Sequence, residues 1–211
     1  MTSTAPRRAL IVIDVQNDYI GGKLPIEYPP TAQSLPNIGR AIDAARSAQV
    51  PVIVVQNILP AHMPMMARGT PGADLHPSIA SRPADHVVLK DMPSAFAGTG
   101  LEDWLRTHAI DTVAIVGYMT HNCDLSTALH AMHAGFQVEF LSDATGSLPY
   151  ENRAGKASAE EIHRVVTVVL QARFAAVMTT DEWLHALVTG EAPERGTIYA
   201  SNQRGRGLAC A

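Results

Sequence analysis

Three side chains of this 211-residue chain have the types and spacing for covalent chemistry: Asp14, Lys90 and Cys123. Each stands at or just past the end of an apolar run, ALIVIDV at 9–15, HVVLK at 86–90 and TVAIVG at 112–117. Taken singly, they read as a turn-forming Asp, a solvated Lys and a small packed Cys. Together they supply a carboxylate, an ammonium and a thiol. The thiolate is the nucleophile, and a free thiol with a pKa of about 8.5 is mostly protonated at neutral pH. A helix N-terminus and a nearby ammonium both lower that pKa. A carboxylate can take the thiol proton and return it to a leaving amine. Asp124, next to the cysteine, is a poor base; charge–dipole stabilisation in a first helical turn accounts for it.

Elements must bring the three together. Apolar runs recur at 9–15, 51–56, 86–90, 112–117, 136–142 and 174–179, mostly continuous, as in strands covered on both faces. Helical patterns lie between most of them. Leu35, Ile38, Ile42 and Ala45 form one stripe, and Leu125, Leu129 and Met132 another, which Gly135 ends at its C′ position. Thr99 with Glu102 predicts a capping box opening LEDWLRTHA, and Ser158 with Glu161 a second before Ile162, Val165, Val169 and Leu170. The expectation is an α/β fold, three-layer α/β/α with a six-stranded parallel, Rossmann-like sheet. Ligands of such sheets bind beyond the carboxyl ends of the strands. Residues 57–85, rich in Pro, Gly and Met, read as a long loop of the kind that forms lids. We expect a domain over 1–190 and a C-terminal tail over 191–211, flexible or contacting another subunit.

Composition narrows the class. A hydrophobic fraction of 46% suits a globular protein, and a formal charge of −4 gives no reason to expect nucleic acid or an acidic membrane. The apolar runs are too short to span a bilayer, and no apolar h-region follows the basic N-terminus. Two cysteines, one of them Cys210, make no disulfide framework, so a reducing cytoplasm is the expected location. The GGK at 21–23 lacks phosphate-loop spacing.

IDVQNDY at 13–19, LKDMPSAFAGTGLEDWL at 89–105 and GYMTHNCDLSTALHAMHAGF at 117–136 resemble, in the same order, the signature segments of the isochorismatase-like cysteine hydrolases. That superfamily includes nicotinamidases and N-carbamoylsarcosine amidohydrolase. The resemblance spans roughly 9–180 and implies Asp14 as general base, Lys90 as the charge-stabilising partner and Cys123 as the acylated nucleophile. It also implies a cis peptide between Tyr118 and Met119, with the N–H groups of Met119 and Cys123 as oxyanion hole. Tyr19 and Phe96 match positions the family uses as pocket walls, though either fits a core. Tyr118 is a further substrate-binding candidate. His121 and Asn122 either line the pocket or complete the turn, and Gln16 and Asn17 support the Asp14 loop.

The resemblance points to a metal-independent hydrolase that cleaves a C–N bond of a small amide or ureido compound through a thioester. No cofactor is expected. The stretch 56–62 has no Asp-x-His, so the nicotinamidase metal site is absent; His62, Asp74 and His76 lack regular ligand spacing. His130 and His133 fit a helix face turned to a neighbouring subunit, and the family implies a dimer or tetramer. Two other readings stay open: a vinyl-ether hydrolase using Asp14 alone, and a domain that binds a small ligand without turnover.

Overall fold

The computed structural model describes residues 5–208. Six strands form one parallel sheet: β1 (Arg8–Ile13), β2 (Val52–Asn57), β3 (His86–Lys90), β4 (Thr112–Tyr118), β5 (Gln137–Gly146) and, after a short hairpin, β8 (Ala176–Met178). Their order is β3-β2-β1-β4-β5-β8, and every pairing is parallel. This is the expected three-layer fold. Chain direction across the sheet reverses between β1 and β4, so their carboxyl ends flank the crevice where doubly wound sheets bind ligands.

Alternate residues of the central strands feed two cores. Leu10, Val12, Val54 and Val116 pack under α2 (Thr31–Ser47) and α7 (Thr180–Thr189). Ile11, Ile13, Ile53 and Ile115 pack under α4 (Leu101–Thr107) and α5 (Leu125–His133). Strands apolar on both faces give the continuous runs seen in the sequence. β1 stops two residues before its apolar run does, because Asp14 takes a left-handed φ of 50°. β5 continues past its apolar run to Gly146, since a register shift lets it follow β4 to its end.

Helix details depart from the pattern in instructive ways. The Ser158–Glu161 capping box opens α6 (Ala159–Val169) as expected. The Thr99–Glu102 box does not form. Thr99 Oγ1 donates to the Ala95 carbonyl, Gly100 is the N-cap, and Glu102 pairs with Arg106 one turn on. A box unforeseen in the sequence, Thr179 with Glu182, opens α7. Gly135 does follow α5 with a left-handed φ of 88°, and the Phe136 N–H bonds back to Ala131.

Two predicted apolar stripes face elsewhere. On α5 the buried residues are Thr127, Ala128 and Ala131, small enough for the helix to lie close on the sheet, while Leu125 and Met132 pack at its flank. On α6, Leu170 beyond the helix is buried, but Val165 and Val169 are 51% and 48% exposed, beside Val168 at 61%. That helix buries Ala159 and His163 instead.

The long 57–85 segment is not loose. It holds a 3-10 turn at Pro71–Ala73 and α3 (Pro77–Ala80), and it buries Met66, Ala73 and Ile79. α1 (Asn17–Ile20) fastens it: the Asp18 carboxylate accepts from the Met66 N–H at 2.7 Å, and Asn17 donates to the Pro71 carbonyl. The segment beyond 190 carries α8 (Ile198–Gly205), capped by Thr197, and Arg195 donates to the Val138 carbonyl. Cys210 lies outside the described residues. No helix among those described is long and apolar enough to cross a membrane.

At the amino ends of the strands, Arg8 of β1 meets Glu139 of β5 in a buried pair at 3.0 Å. Trp183 donates to the same carboxylate at 2.7 Å, and Arg8 also holds the Glu191 carbonyl. Removing one member of such a pair strands the other charge in the core. Arg8→Ala is therefore expected to cost about 3–5 kcal/mol in urea unfolding.

Candidate active site

Folding gathers the three side chains found in the sequence. Asp14 follows β1, Lys90 ends β3, and Cys123 sits in the turn after β4. The Lys90 ammonium lies 2.7 Å from Asp14 Oδ2 and 3.3 Å from Cys123 Sγ. The thiol and the Asp14 carboxyl are near enough for each to shift the other's proton affinity. All three are buried, Cys123 being 3% exposed.

The backbone explains how they are aimed. Asp14 departs from its strand in the left-handed region, a conformation Asp tolerates better than most residues. Its N–H still bonds to Val55, so the turn is anchored to β2. Gln16, fully buried, ties that turn down: its amide donates to the Asn57 and Ala73 carbonyls and accepts from the Asn57 N–H. Asn17 supports the same region through Pro71. Gly117 pairs with Ile13, one residue before Asp14, at a φ of 120°. A Cβ there would overlap the Ile13 carbonyl oxygen, so only glycine lets β1 and β4 run this close. Past β4 the Tyr118–Met119 peptide is cis, and Thr120–Asp124 form one π-helical turn before α5. Such turns recur at functional sites.

Electrostatics depart from expectation at the sulfur. A helix start and an ammonium were expected to lower the thiol pKa. Burial first, and the Asp14 charge second, push it well above its ordinary value despite Lys90. Asp14 is itself raised by burial, which Lys90 offsets only in part. Burial works against the Lys90 ammonium, but the charges of Asp14 and Cys123 outweigh it and hold its pKa up. At rest the pocket therefore holds a thiol and a paired ammonium. The Asp14 carboxylate, of raised basicity, is the acceptor nearest in effect to the thiol's proton.

The surrounding candidates separate into groups. Tyr19 is buried edge-on against Tyr118, ring centroids 5.9 Å apart, and burial followed by the Cys123 charge raises its pKa. Tyr118 is fully buried with its hydroxyl bonded to Ser34 Oγ at 2.9 Å, and its pKa is pushed by burial to about 12. Phe96 lies in the same apolar cluster as Cys123, between Phe136 and His130. His130 has a further contact to Ser94 and is half-buried; His133 is exposed. His121 Nδ1 bonds to Ser147 Oγ at 3.1 Å, and its ring meets Tyr150 edge-on. His76 caps α3 through Ser78.

One site neighbour was not foreseen. Tyr150 lies on a two-stranded hairpin, β6 (Tyr150–Asn152) with β7 (Gly155–Ala157), and the Cys123 charge reaches it. Its strand is exposed and three residues long, too short to leave a period in the sequence. A second omission is His163, buried on α6 and bonded through Nδ1 to Thr120 Oγ1 at 2.9 Å, three residues before the thiol. Burial lowers its pKa to about 4. A group with a depressed histidine pKa binds fewer protons folded than unfolded between that value and about 6.5. Stability should therefore fall as pH drops from about 6.5 towards 4, by on the order of 3 kcal/mol for this group. Thermal unfolding against pH checks this, and His163→Gln should flatten the slope.

Comparison with known proteins places this geometry. Residues 8–182 match the family model of the isochorismatase domain. A crystal structure from Burkholderia xenovorans LB400, provisionally described as an isochorismatase, is 63% identical at a TM-score of 0.96, covering 97% of this chain and 98% of that one. A cysteine hydrolase from Pseudomonas syringae pv. phaseolicola 1448A is 26% identical at a TM-score of 0.81, covering 90% and 100%. A secreted isochorismatase effector of Verticillium dahliae is 32% identical over 145 residues, 69% of this chain and 75% of that protein. A parallel sheet in this order, matched along most of its length by that domain, makes the chain a member of the isochorismatase family, a superfamily of hydrolases that includes cysteine hydrolases.

Proposed function

We propose that the protein is a metal-independent cysteine hydrolase that cleaves the C–N bond of a small amide or ureido substrate. The observation that carries this reading is the convergence of Lys90 Nζ on Asp14 at 2.7 Å and on Cys123 Sγ at 3.3 Å in one buried cleft. Cys123 Sγ attacks the substrate carbonyl while its proton passes to Asp14. The carbonyl π electrons move to oxygen, and the backbone N–H groups of Met119 and Cys123 face that oxyanion. Collapse expels the amine, which takes the proton from Asp14, and leaves a thioester on Cys123. Water then attacks the thioester with Asp14 again as base, and the thiol leaves reprotonated. Lys90 keeps its charge throughout and offsets the negative charge that moves between sulfur and carboxylate.

The raised thiol pKa fits this order of events. A buried thiol beside a basic carboxylate ionises only as it attacks, so the resting enzyme is not a loose alkylation target. Tyr19 and Tyr150, both reached by the Cys123 charge, and His121, whose ring meets Tyr150, are the side chains assigned to contact the substrate. We further propose that the chain self-associates, because the exposed Val165, Val168 and Val169 lie on one helix.

A vinyl-ether hydrolase working through Asp14 alone is the second reading, favoured by the isochorismatase descriptions of the relatives. Exhaustive alkylation of Cys123 with iodoacetamide separates the two. Loss of amide turnover in step with thiol loss supports the nucleophile; full turnover by the alkylated enzyme overturns it.

A further inference from the structure

The cleft contains a second carboxyl that the reaction above does not use. Asp124 directly follows the nucleophile at the N-cap of α5 and is 0% exposed. Its backbone is helical, φ −67° and ψ −48°, and its side chain caps nothing. Among the described residues no donor hydrogen-bonds to either carboxyl oxygen, and no cation pairs with it. The titratable groups whose charges act on it, or on which its charge acts, are Asp14 after β1, Tyr19 of α1, Lys90 of β3, Tyr118 of β4 and Cys123 itself.

Counting charge decides the state of this carboxyl. Two buried carboxyls share the field of one ammonium, and Lys90 is already committed at 2.7 Å to Asp14 and 3.3 Å to Cys123. An unpaired carboxylate so deeply buried costs several kcal/mol, and a like charge nearby adds to it. Protonation removes that cost. Burial and Asp14 both raise the pKa of Asp124, with Lys90 opposing.

We propose that Asp124 is a positioning residue that works as a neutral carboxylic acid: by keeping its proton it leaves the Lys90 ammonium undivided between Asp14 and Cys123. The proposal rests on the reading of Cys123 as nucleophile. Ionised, Asp124 would compete for the ammonium and add a negative charge beside the sulfur, making the thiolate harder to form. Any change that ionises Asp124 therefore lowers the nucleophilicity of the site.

Two measurements on the full chain test this without any substrate, so they do not depend on the C–N hydrolase reading being right about what is cleaved. The first is the rate of Cys123 alkylation by iodoacetamide between pH 6 and 10, in the native protein and in Asp124→Asn. The amide is the neutral isostere of the protonated acid. It should keep native-like alkylation at pH 7. A loss of about tenfold or more at pH 7 in a folded variant would overturn the proposal, since the charge would then be the needed feature. The second is the infrared spectrum of native protein with isotope-labelled aspartate, which stands even if the variant fails to fold. A carboxylic-acid C=O band persisting at neutral pH is the expected result. Absence of any such band at pH 7 would overturn the proposal.

Discussion

Cys123→Ala should fold as the native chain does and lose at least about 10⁴-fold in kcat, because the reaction then has no group to carry the acyl half. The site's geometry makes the effect this large. Asp14 and Lys90 remain paired in the variant, but neither can form the thioester, and the carboxylate lacks the thiol proton it is positioned to accept. Activation of water by Asp14 alone sets the residual rate. The structural cost is small: only one buried sulfur atom is removed, the β-carbon remaining as a methyl group, so we expect less than about 1.5 kcal/mol. Steady-state kinetics on a panel of amides together with urea unfolding measures both quantities. A variant that turns over at more than about a tenth of the native rate would contradict the assignment of the nucleophile.

Lys90→Met tests the other half of the cleft, and both activity and stability should fall. The ammonium is the only cation paired with Asp14 among the described residues, and both side chains are fully covered. Without it the carboxylate stands alone in an apolar setting, a loss of about 3–5 kcal/mol for breaking one side of a buried pair. Asp14 would escape part of that cost by taking up a proton, since burial already raises its pKa and the opposing charge is gone. A protonated Asp14 cannot accept from Cys123, so turnover should drop by about 10³-fold or more. The pH dependence gives a distinctive sign. Asp14 would need a higher pH to ionise, so residual activity should rise with pH over a range where native activity is flat. Lys90→Arg is a poor rescue, because the planar guanidinium does not fit a buried position built for a compact ammonium.

Much of this was legible in the sequence, for physical reasons that can be named. Strands β1, β2 and β4 are covered on both faces, which forces continuous apolar runs that no helix period imitates. Parallel topology then puts the ends of those runs on one edge, so Asp14, Lys90 and Cys123 could be grouped before any coordinate was known. The Ser158–Glu161 box and the C′ Gly135 were readable because each is a local bond between fixed positions.

What failed to show was decided by tertiary contact. α5 rests on the sheet through Thr127, Ala128 and Ala131, so its large residues flank the contact instead of making it. α6 keeps Val165 and Val169 exposed and buries His163, whose partner Thr120 is 43 positions away. Thr99 could cap on spacing alone, but Ala95 and Arg106 offered its group and that of Glu102 other partners. The thiol's proton affinity was misjudged for a similar reason. Helix start and ammonium are visible in sequence, whereas the burial that outweighs them appears only when the cleft closes. Tyr150 reaches the site from a hairpin too short to predict.

The most direct test is intact-mass analysis of the enzyme quenched with acid during turnover of carboxamides and ureas. An added acyl mass that maps by peptide digestion to Cys123 and is absent from Cys123→Ala is the expected result. Rapid hydrolysis of a substrate with no adduct on any residue, sustained after Cys123 has been fully alkylated, would contradict it.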